Sequence, residues 1–459
     1  MENFDVIIIG SGQAGTPLVF KMAAAGKKVA FIEKEHFGGT CVNDGCTPTK
    51  AYVASARRMW DAVNGKGLGV IIPEGSSVDL KKVKERKDAI VRKSTDGISK
   101  GVKDDDNITF FKGEASFTGE KTISVNGTGL SAPEIYINVG ARPVIPDNFK
   151  GFDYLTNQSI LQLEKLPGHL IIIGGSYVGL EFGQMFSRFG SKVTIVEKGP
   201  KIIGHEDDEI SEQILGFLKE EGIEFHLNST CVKGENNDDG SVTVRLECEE
   251  GEPEIKGSHV LLAVGRKPNT DTLNPGAGGI EVDERGYIKV DDYLETSVKG
   301  VYALGDCNGK GAFTHTSYND YSIIAGNKFS GESRKVTDRI MTYCLYTDPP
   351  LGRAGMNKTQ ATDMGYEIME AKIPMNKVSR ALEKGEINGS MSVIVDSRTK
   401  KILGASILGV GGDEIISGIL NIMYAGVPFT VIRDSVISHP TVSELIPSML
   451  EALKKPSDE

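Results

Sequence analysis

The sequence predicts an α/β fold in which one strand–glycine turn–helix–strand unit occurs twice, followed by a region of mixed strands and helices. Three observations carry this. The apolar run Phe4-Asp5-Val6-Ile7-Ile8-Ile9 leads straight into Gly10-Ser11-Gly12-Gln13-Ala14-Gly15 and an Ala- and Met-rich helical stretch. The same pattern returns where Leu170-Ile171-Ile172-Ile173 leads into Gly174-Gly175-Ser176-Tyr177-Val178-Gly179. From Val336 onward, strand-like segments such as Met391-Ser392-Val393-Ile394-Val395 and Ile402-Leu403-Gly404-Ala405-Ser406-Ile407-Leu408 alternate with helices.

In the first unit, Gly10 makes the tight turn, Gly12 lets a pyrophosphate approach the backbone, and Gly15 lets helix and strand pack closely. A second run, Lys28-Val29-Ala30-Phe31-Ile32, ends at Glu33, where a carboxylate can accept hydrogen bonds from ribose hydroxyls. Strand, helix and terminal acid in register make this a dinucleotide fingerprint rather than a bare glycine pattern. The second unit repeats it, with Lys192-Val193-Thr194-Ile195-Val196 ending at Glu197. Ser176 stands where the middle glycine is expected. Two such units imply two cofactors or one duplicated scaffold.

Directly after the first unit comes Gly38-Gly39-Thr40-Cys41-Val42-Asn43-Asp44-Gly45-Cys46-Thr47-Pro48-Thr49-Lys50. Two thiols this close can close a small disulfide ring. Gly45 relaxes the backbone between them, and Pro48 fits the first turn of a helix starting near the second thiol. The partial positive charge of a helix N-terminus favours a thiolate. The segment therefore reads as a redox dithiol, against the alternatives of a metal-binding pair or two inert buried cysteines.

Composition adds limits. The 459 residues suffice for roughly three domains. A net charge of −11 argues against nucleic acid or an anionic membrane surface as partner. No run approaches the ~20 apolar residues of a spanning helix, and a first strand starting at Phe4 leaves no room for a signal peptide. Cytoplasm is the expected compartment. Leu80 to Lys103 is a charged helical excursion, and Asn236-Asn237-Asp238-Asp239-Gly240 is a hairpin turn.

Further motifs follow: Ile137-Asn138-Val139-Gly140-Ala141-Arg142-Pro143, Gly265-Arg266-Lys267-Pro268-Asn269, Val301-Tyr302-Ala303-Leu304-Gly305-Asp306 and His439-Pro440-Thr441-Val442-Ser443-Glu444. In this order, along nearly all of the chain, they resemble the class I pyridine nucleotide–disulfide oxidoreductases. These flavoproteins include lipoamide dehydrogenase, glutathione reductase and mercuric reductase. The details look closest to the mercuric-reductase-like branch, which also holds a reactive-chlorine-defence enzyme that reduces copper(II).

The resemblance implies two Rossmann-like dinucleotide-binding domains, one for FAD (residues 1–147 and 269–335) and one for NAD (148–268), plus a C-terminal α+β dimerisation domain (336–459). It implies that Gly10, Gly12, Gly15, Glu33, Thr40, Lys50, Gly140 and Asp306 serve FAD. Gly174, Tyr177, Gly179, Glu197 and Gly265 then serve the nicotinamide nucleotide, with Tyr177 covering its pocket. Glu197 favours NADH, because a carboxylate accepts from a 2′-hydroxyl and repels a 2′-phosphate; Lys198 and Lys201 just beyond leave NADPH possible. Glu181, one helical turn past Tyr177, is placed to pair with Lys50 beside the flavin. Electrons are implied to pass from NADH through the flavin to a Cys41–Cys46 disulfide. In the family register Cys46 contacts the flavin and Cys41 meets the acceptor. His439, oriented by Glu444, is the implied proton donor and acceptor, reaching the dithiol across a homodimer.

The acceptor stays open. A metal ion such as copper(II) or an oxidant-derived acceptor is the first reading. A disulfide reductase of the dihydrolipoamide dehydrogenase type is the second, and a non-catalytic flavin and NAD redox sensor the third. No cysteine follows Cys344, whereas mercuric reductases carry a C-terminal pair that delivers the metal. Asp44, between the thiols, would raise their pKa if its carboxylate faced them and do nothing if it pointed to solvent. His315 is either an acceptor or metal contact or a helix-start hydrogen bonder. Cys231, Cys248, Cys307 and Cys344 lack metal-site spacing and read as ordinary free cysteines.

Overall fold

The computed structural model describes residues 1–71, 75–248, 251 and 253–455. Its first layer is a five-stranded parallel sheet in the order Val301–Ala303, Glu134–Ile137, Val6–Ile9, Val29–Glu33 and Ile108–Lys112. Every residue of Val6–Ile9 and of Val29–Glu33 is buried, which is why these runs are continuously apolar rather than alternating: both faces of the sheet are covered. Helix Gly15–Ala24 covers one face with Leu18, Val19 and Met22. The charged helix Leu80–Lys103 forms as expected, capped by Asp79, which accepts from the Lys82 N–H, and buries little besides Leu80, Lys87 and Val102.

A second parallel sheet runs Glu224–His226, Lys192–Val196, His169–Ile173 and His259–Leu262. Helix Tyr177–Phe189 lies on it, with Phe182, Phe186 and Phe189 in the core. A small antiparallel sheet follows, Thr230–Asn236, Val242–Glu247 and Glu254–Gly257. Its first hairpin turns at Asn237, whose N–H donates to the Ser241 carbonyl at 2.8 Å. Arg266–Pro268 pairs antiparallel with Ala141–Pro143 and ties the two parallel-sheet units together.

The C-terminal layer is a five-stranded antiparallel sheet in the order Thr342–Leu345, Leu351–Gly355, Ile402–Leu408, Ser390–Asp396 and Ile368–Pro374. Helix Gly412–Ala425 packs across it through Ile416 and Ile419, and helix Leu445–Glu451 closes the same core with Ile446, Met449 and Leu450. Two Rossmann-like units and an α+β unit are the fold class the sequence implies. Among the described residues no helix is long and apolar enough to cross a membrane.

Candidate functional site

One large cleft, with a volume of about 1960 Å³, runs between the three units. Of the residues singled out from sequence, Gly10, Gly12, Glu33, Thr40, Cys41, Cys46, Lys50, Gly140, Gly174, Tyr177, Glu181, Glu197, Gly265 and Asp306 line it. Gly15 and Gly179 are packing glycines behind the two turns. A Cβ on Gly15 would lie 2.0 Å from the Gly10 carbonyl oxygen, and one on Gly179 would lie 1.9 Å from that of Gly174. No other residue fits either place.

Both turns are built alike. The Glu33 carboxylate accepts from the Ser11 N–H at 2.9 Å, the Ser11 hydroxyl at 2.7 Å and the Glu35 N–H at 2.7 Å. Glu197 accepts from the Gly175 N–H at 2.7 Å and the Gly199 N–H at 2.8 Å. Each carboxylate is thus fixed at the end of its strand, with oxygen lone pairs left toward the cleft. Bare backbone at each turn, a helix start behind it and a fixed acid beside it fit the pyrophosphate and ribose of a dinucleotide. The residues present therefore fit a dinucleotide in each cradle.

Sequence reasoning missed how the first cradle is held. Asn138 accepts from the Gly15 N–H at 2.9 Å and donates to the Leu304 carbonyl at 2.8 Å, which links the turn to the strand before Asp306. Asp306 itself lies 3.5 Å from the Arg266 guanidinium. Burial pushes its carboxyl above the usual range, and Arg266 opposes that rise. The buried Asp320 carboxylate accepts from the Gly305 N–H at 2.7 Å and from Asn308 at 3.0 Å, and so shapes this loop from beneath. Asn138 belongs to a motif read from sequence; Asp320 gave no signal there.

The dithiol spans two helices rather than one loop and one helix. Cys41 is carried by the short helix Gly39–Asn43, which the sequence did not announce, and Cys46 is the first residue of helix Cys46–Asn64. Pro48 lies in the first turn of the latter, as expected. Gly45 leaves needed space: a Cβ there would lie 2.9 Å from the Thr40 carbonyl oxygen. Gly39 has a φ of +60°, and a Cβ there would lie 2.9 Å from Gly12 Cα, so the dithiol segment packs directly on the first glycine turn.

The two thiols differ. A hydrogen bond from Cys41, helped by Thr314 and by the positive charge of Lys50, lowers Cys46 from the usual thiol value to about 6, against burial. Cys41, which gives that hydrogen bond and is itself half-buried, is pushed far up. Of the two, Cys46 is the thiol drawn toward the thiolate and Cys41 the one held back from it. The Thr314 hydroxyl lies 3.2 Å from Cys46 Sγ, a partner missed from sequence although its neighbour His315 drew attention. Lys50 Nζ meets the buried Glu181 carboxylate at 2.6 Å, and Glu181 also accepts from the Tyr346 N–H at 3.0 Å. The Lys50 ammonium rests 4.5 Å from the centroid of the Tyr346 ring.

Asp44 turns neither to the thiols nor simply to solvent. Its carboxylate accepts from the Gln158 amide at 3.0 Å, and its carbonyl accepts from Asn157 at 2.8 Å. His315 is the second residue of helix Thr314–Phe329, donates from Nε2 to the Thr342 carbonyl at 2.7 Å, and also lines the cleft. Cys344 lines the cleft too; it and the other cysteines outside the dithiol are free. Among the described residues no cluster of three or more His, Cys, Asp or Glu side chains has metal-binding geometry. Lys201, one of the two lysines near Glu197, is engaged at 2.6 Å by Asp208 and at 2.7 Å by the Glu206 carbonyl.

His439 and Glu444 are bonded to one another, Nδ1 to Oε2, at 2.9 Å. They do not line the cleft of their own chain. His439 is 77 % exposed while Glu444 is 15 % exposed, so the acid is fixed and the imidazole projects outward.

A pair of dinucleotide cradles converging on an asymmetric dithiol defines a redox flavoprotein that takes electrons from a pyridine nucleotide. The comparisons agree. The family described as pyridine nucleotide-disulphide oxidoreductase matches residues 4–320, and its dimerisation domain matches residues 341–450. The probable pyridine nucleotide-disulfide oxidoreductase RclA of Escherichia coli K12 is 33% identical over 466 residues, covering 99% of this chain and 100% of that protein. A mercuric reductase of Staphylococcus aureus is 32% identical over 444 residues, covering 96% of this chain and 81% of the relative. A copper(II) complex of the HOCl-induced flavoprotein disulfide reductase RclA from Escherichia coli superposes with a TM-score of 0.89 at 32% identity, over 98% of this chain and 99% of that one. The chain belongs to the pyridine nucleotide–disulfide oxidoreductase family, enzymes that use FAD, NAD(P)H and a redox-active disulfide.

Proposed function

We propose that this chain is a homodimeric, cytoplasmic, NADH-linked reductase whose Cys41–Cys46 dithiol delivers electrons to a metal ion or an oxidant-derived acceptor. In this reading residues 1–147 and 269–335 hold FAD, residues 148–268 hold NADH, and residues 336–459 form the dimer contact. The observation that carries it is the unequal setting of the two thiols: Cys46 Sγ lies 3.2 Å from the Thr314 hydroxyl and feels the Lys50 charge, which lower its thiol, while Cys41 is pushed up. FAD held in the first cradle by Gly10, Gly12 and Glu33 would supply two-electron transfer between NADH and the disulfide.

The chain's own residues do the rest. Lys50, fixed by Glu181, keeps positive charge near Cys46, where it favours the thiolate. Cys41 is the sulfur left to meet the acceptor. Re-forming the Cys41–Cys46 bond from the Cys46 thiolate and the Cys41 thiol releases one proton and two electrons, and the electrons would reduce two copper(II) ions to copper(I) by one electron each. The structural likeness to a protein crystallised with copper(II) supports this acceptor class. Preference for NADH is supported by Glu197, whose fixed carboxylate would face a 2′-phosphate, and by Lys201, already neutralised by Asp208.

The dimer is supported by the dimerisation-domain match and by the fully exposed Val436 beside the outward-facing His439. A second reading, reduction of lipoamide or another disulfide, rests on the intact His439–Glu444 pair, since a thiol leaving group needs a proton. The test is anaerobic single-turnover reoxidation of the NADH-reduced enzyme by copper(II), mercury(II), lipoamide and glutathione disulfide. Fast reoxidation by metal ions alone supports the first reading. Fast reoxidation by a disulfide moves the protein to the second. Full-rate turnover of every acceptor by Cys41→Ser would overturn the dithiol's role.

A further inference from the structure

Tyr177 is the first residue of helix Tyr177–Phe189, directly after the second glycine turn. Its ring meets Phe313 edge-on at 5.9 Å and Tyr343 at 5.5 Å between centroids. Phe313 precedes Thr314, which contacts Cys46, so the Tyr177 ring spans the gap between the second cradle and the dithiol. On the other side the Tyr177 hydroxyl shares a 2.5 Å hydrogen bond with His205 Nε2.

His205 is an anchored post. The Ile203 N–H donates to the Gly175 carbonyl at 3.0 Å, tying the His205 loop to the glycine turn. Asn357 donates to the His205 carbonyl at 3.1 Å, tying the same loop to the C-terminal unit. The flanking acids are held by Arg353, which lies 3.4 Å from Glu206 and 2.8 Å from Asp207. The backbone is thus fixed from both sides while the imidazole stays exposed in the cleft.

We propose that His205 is a positioning residue that latches Tyr177 across the nicotinamide end of the second cradle, so that admitting the nicotinamide ring requires breaking the Tyr177–His205 hydrogen bond. The inference rests on that cradle binding the pyridine nucleotide. The adenosine and pyrophosphate end, at Glu197 and the Gly174 turn, fills without moving Tyr177. The latch therefore weakens binding of the whole dinucleotide and leaves its ADP-ribose portion untouched.

The test measures equilibrium binding of NAD+ and of ADP-ribose to the oxidised, FAD-loaded enzyme. His205→Ala is expected to tighten NAD+ about three- to tenfold, the worth of one net hydrogen bond, with ADP-ribose unchanged. His205→Gln keeps a donor at that place and is expected to bind NAD+ like the parent. Tyr177→Phe, which keeps the ring and loses the hydroxyl, is expected to match His205→Ala, with no further gain when the two are combined. Equal shifts for NAD+ and ADP-ribose, or no shift in His205→Ala, would overturn the latch. Failure of the parent to bind ADP-ribose, or binding indifferent to Glu197→Ala, would instead overturn the assignment of the cradle, and the latch with it.

Discussion

Replacing Thr314 by valine isolates one cause of the thiol asymmetry. The substitution keeps the volume and removes the hydroxyl that lies 3.2 Å from Cys46 Sγ. A hydrogen bond to an ionised group contributes about 1.5–3 kcal/mol. Cys46 opens onto the cleft, where water screens the interaction, so about half of that is retained. At about 1.4 kcal/mol per pKa unit, the loss raises Cys46 by about half to one unit. Because the folded pKa is depressed to about 6, the thiolate prevails above that pH and is lost as pH falls through it. In Thr314→Val the loss begins at higher pH, and the thiolate share at pH 7 falls from about nine-tenths to between about three-quarters and a half. The assay is the pH dependence of alkylation at Cys46 in the reduced enzyme, read at each cysteine by peptide mass spectrometry. A midpoint that stays within ~0.2 unit of the parent, or moves down, would refute the Thr314 contribution.

Glu181→Gln should act with the opposite sign, because the Glu181 charge raises Cys46 while Lys50 lowers it; its alkylation midpoint should move down. The same variant leaves the Lys50 ammonium without its charged partner and should cost about 1–2 kcal/mol in denaturant unfolding, less than a fully buried pair because Lys50 is part-exposed. Asp44→Val should leave the midpoint within ~0.3 unit, since that carboxylate is held by Gln158; a fall of a whole unit would show that it acts on the sulfurs after all. Glu197→Gln should raise kcat/KM for NADPH relative to NADH by about tenfold, and an unchanged ratio would show that another residue sets the preference.

Local pattern made the parallel-sheet units legible. Uninterrupted apolar runs such as Val6–Ile9 announce strands covered on both faces, and the glycine turns with their terminal acids announce what those strands serve. Helix Leu80–Lys103 was equally visible, because a long charged face is a property of neighbouring residues. The five-residue helix bearing Cys41 was not. It is too short to have a periodicity, and it exists because Gly39 lets that segment pack on Gly12. Thr314 and His205 escaped for a related reason: each acts on a residue far away in sequence, Thr314 on Cys46 and His205 on Tyr177.

The serine in the second glycine turn shows how such distant pairings decide what a motif tolerates. Gly12 and Ser176 occupy the same place in their turns, yet only Gly12 is forced. A Cβ on Gly12 would lie 2.6 Å from the Asn138 side-chain oxygen, the atom that accepts from the Gly15 N–H. The strand that Asn138 follows in the first unit, Glu134–Ile137, corresponds in the second to His259–Leu262, which Ala263 follows. The Asn138 N–H donates to Ile9, and the Ala263 N–H donates in the same way to Ile173. Ala263 has no amide to reach under its turn, so the space that Asn138 claims is free and a serine fits. In both units the first glycine is still required, at φ +98° for Gly10 and +112° for Gly174, because there the obstacle is the backbone carbonyl of Asn138 or Ala263, 2.3 Å from a Cβ in one case and 2.4 Å in the other. The first and last glycines of the fingerprint answer to backbone and cannot vary with the side chains around them. The middle one answers to a side chain more than a hundred residues away, so its departure in the second unit marks a different neighbour beneath the turn rather than a damaged nucleotide site.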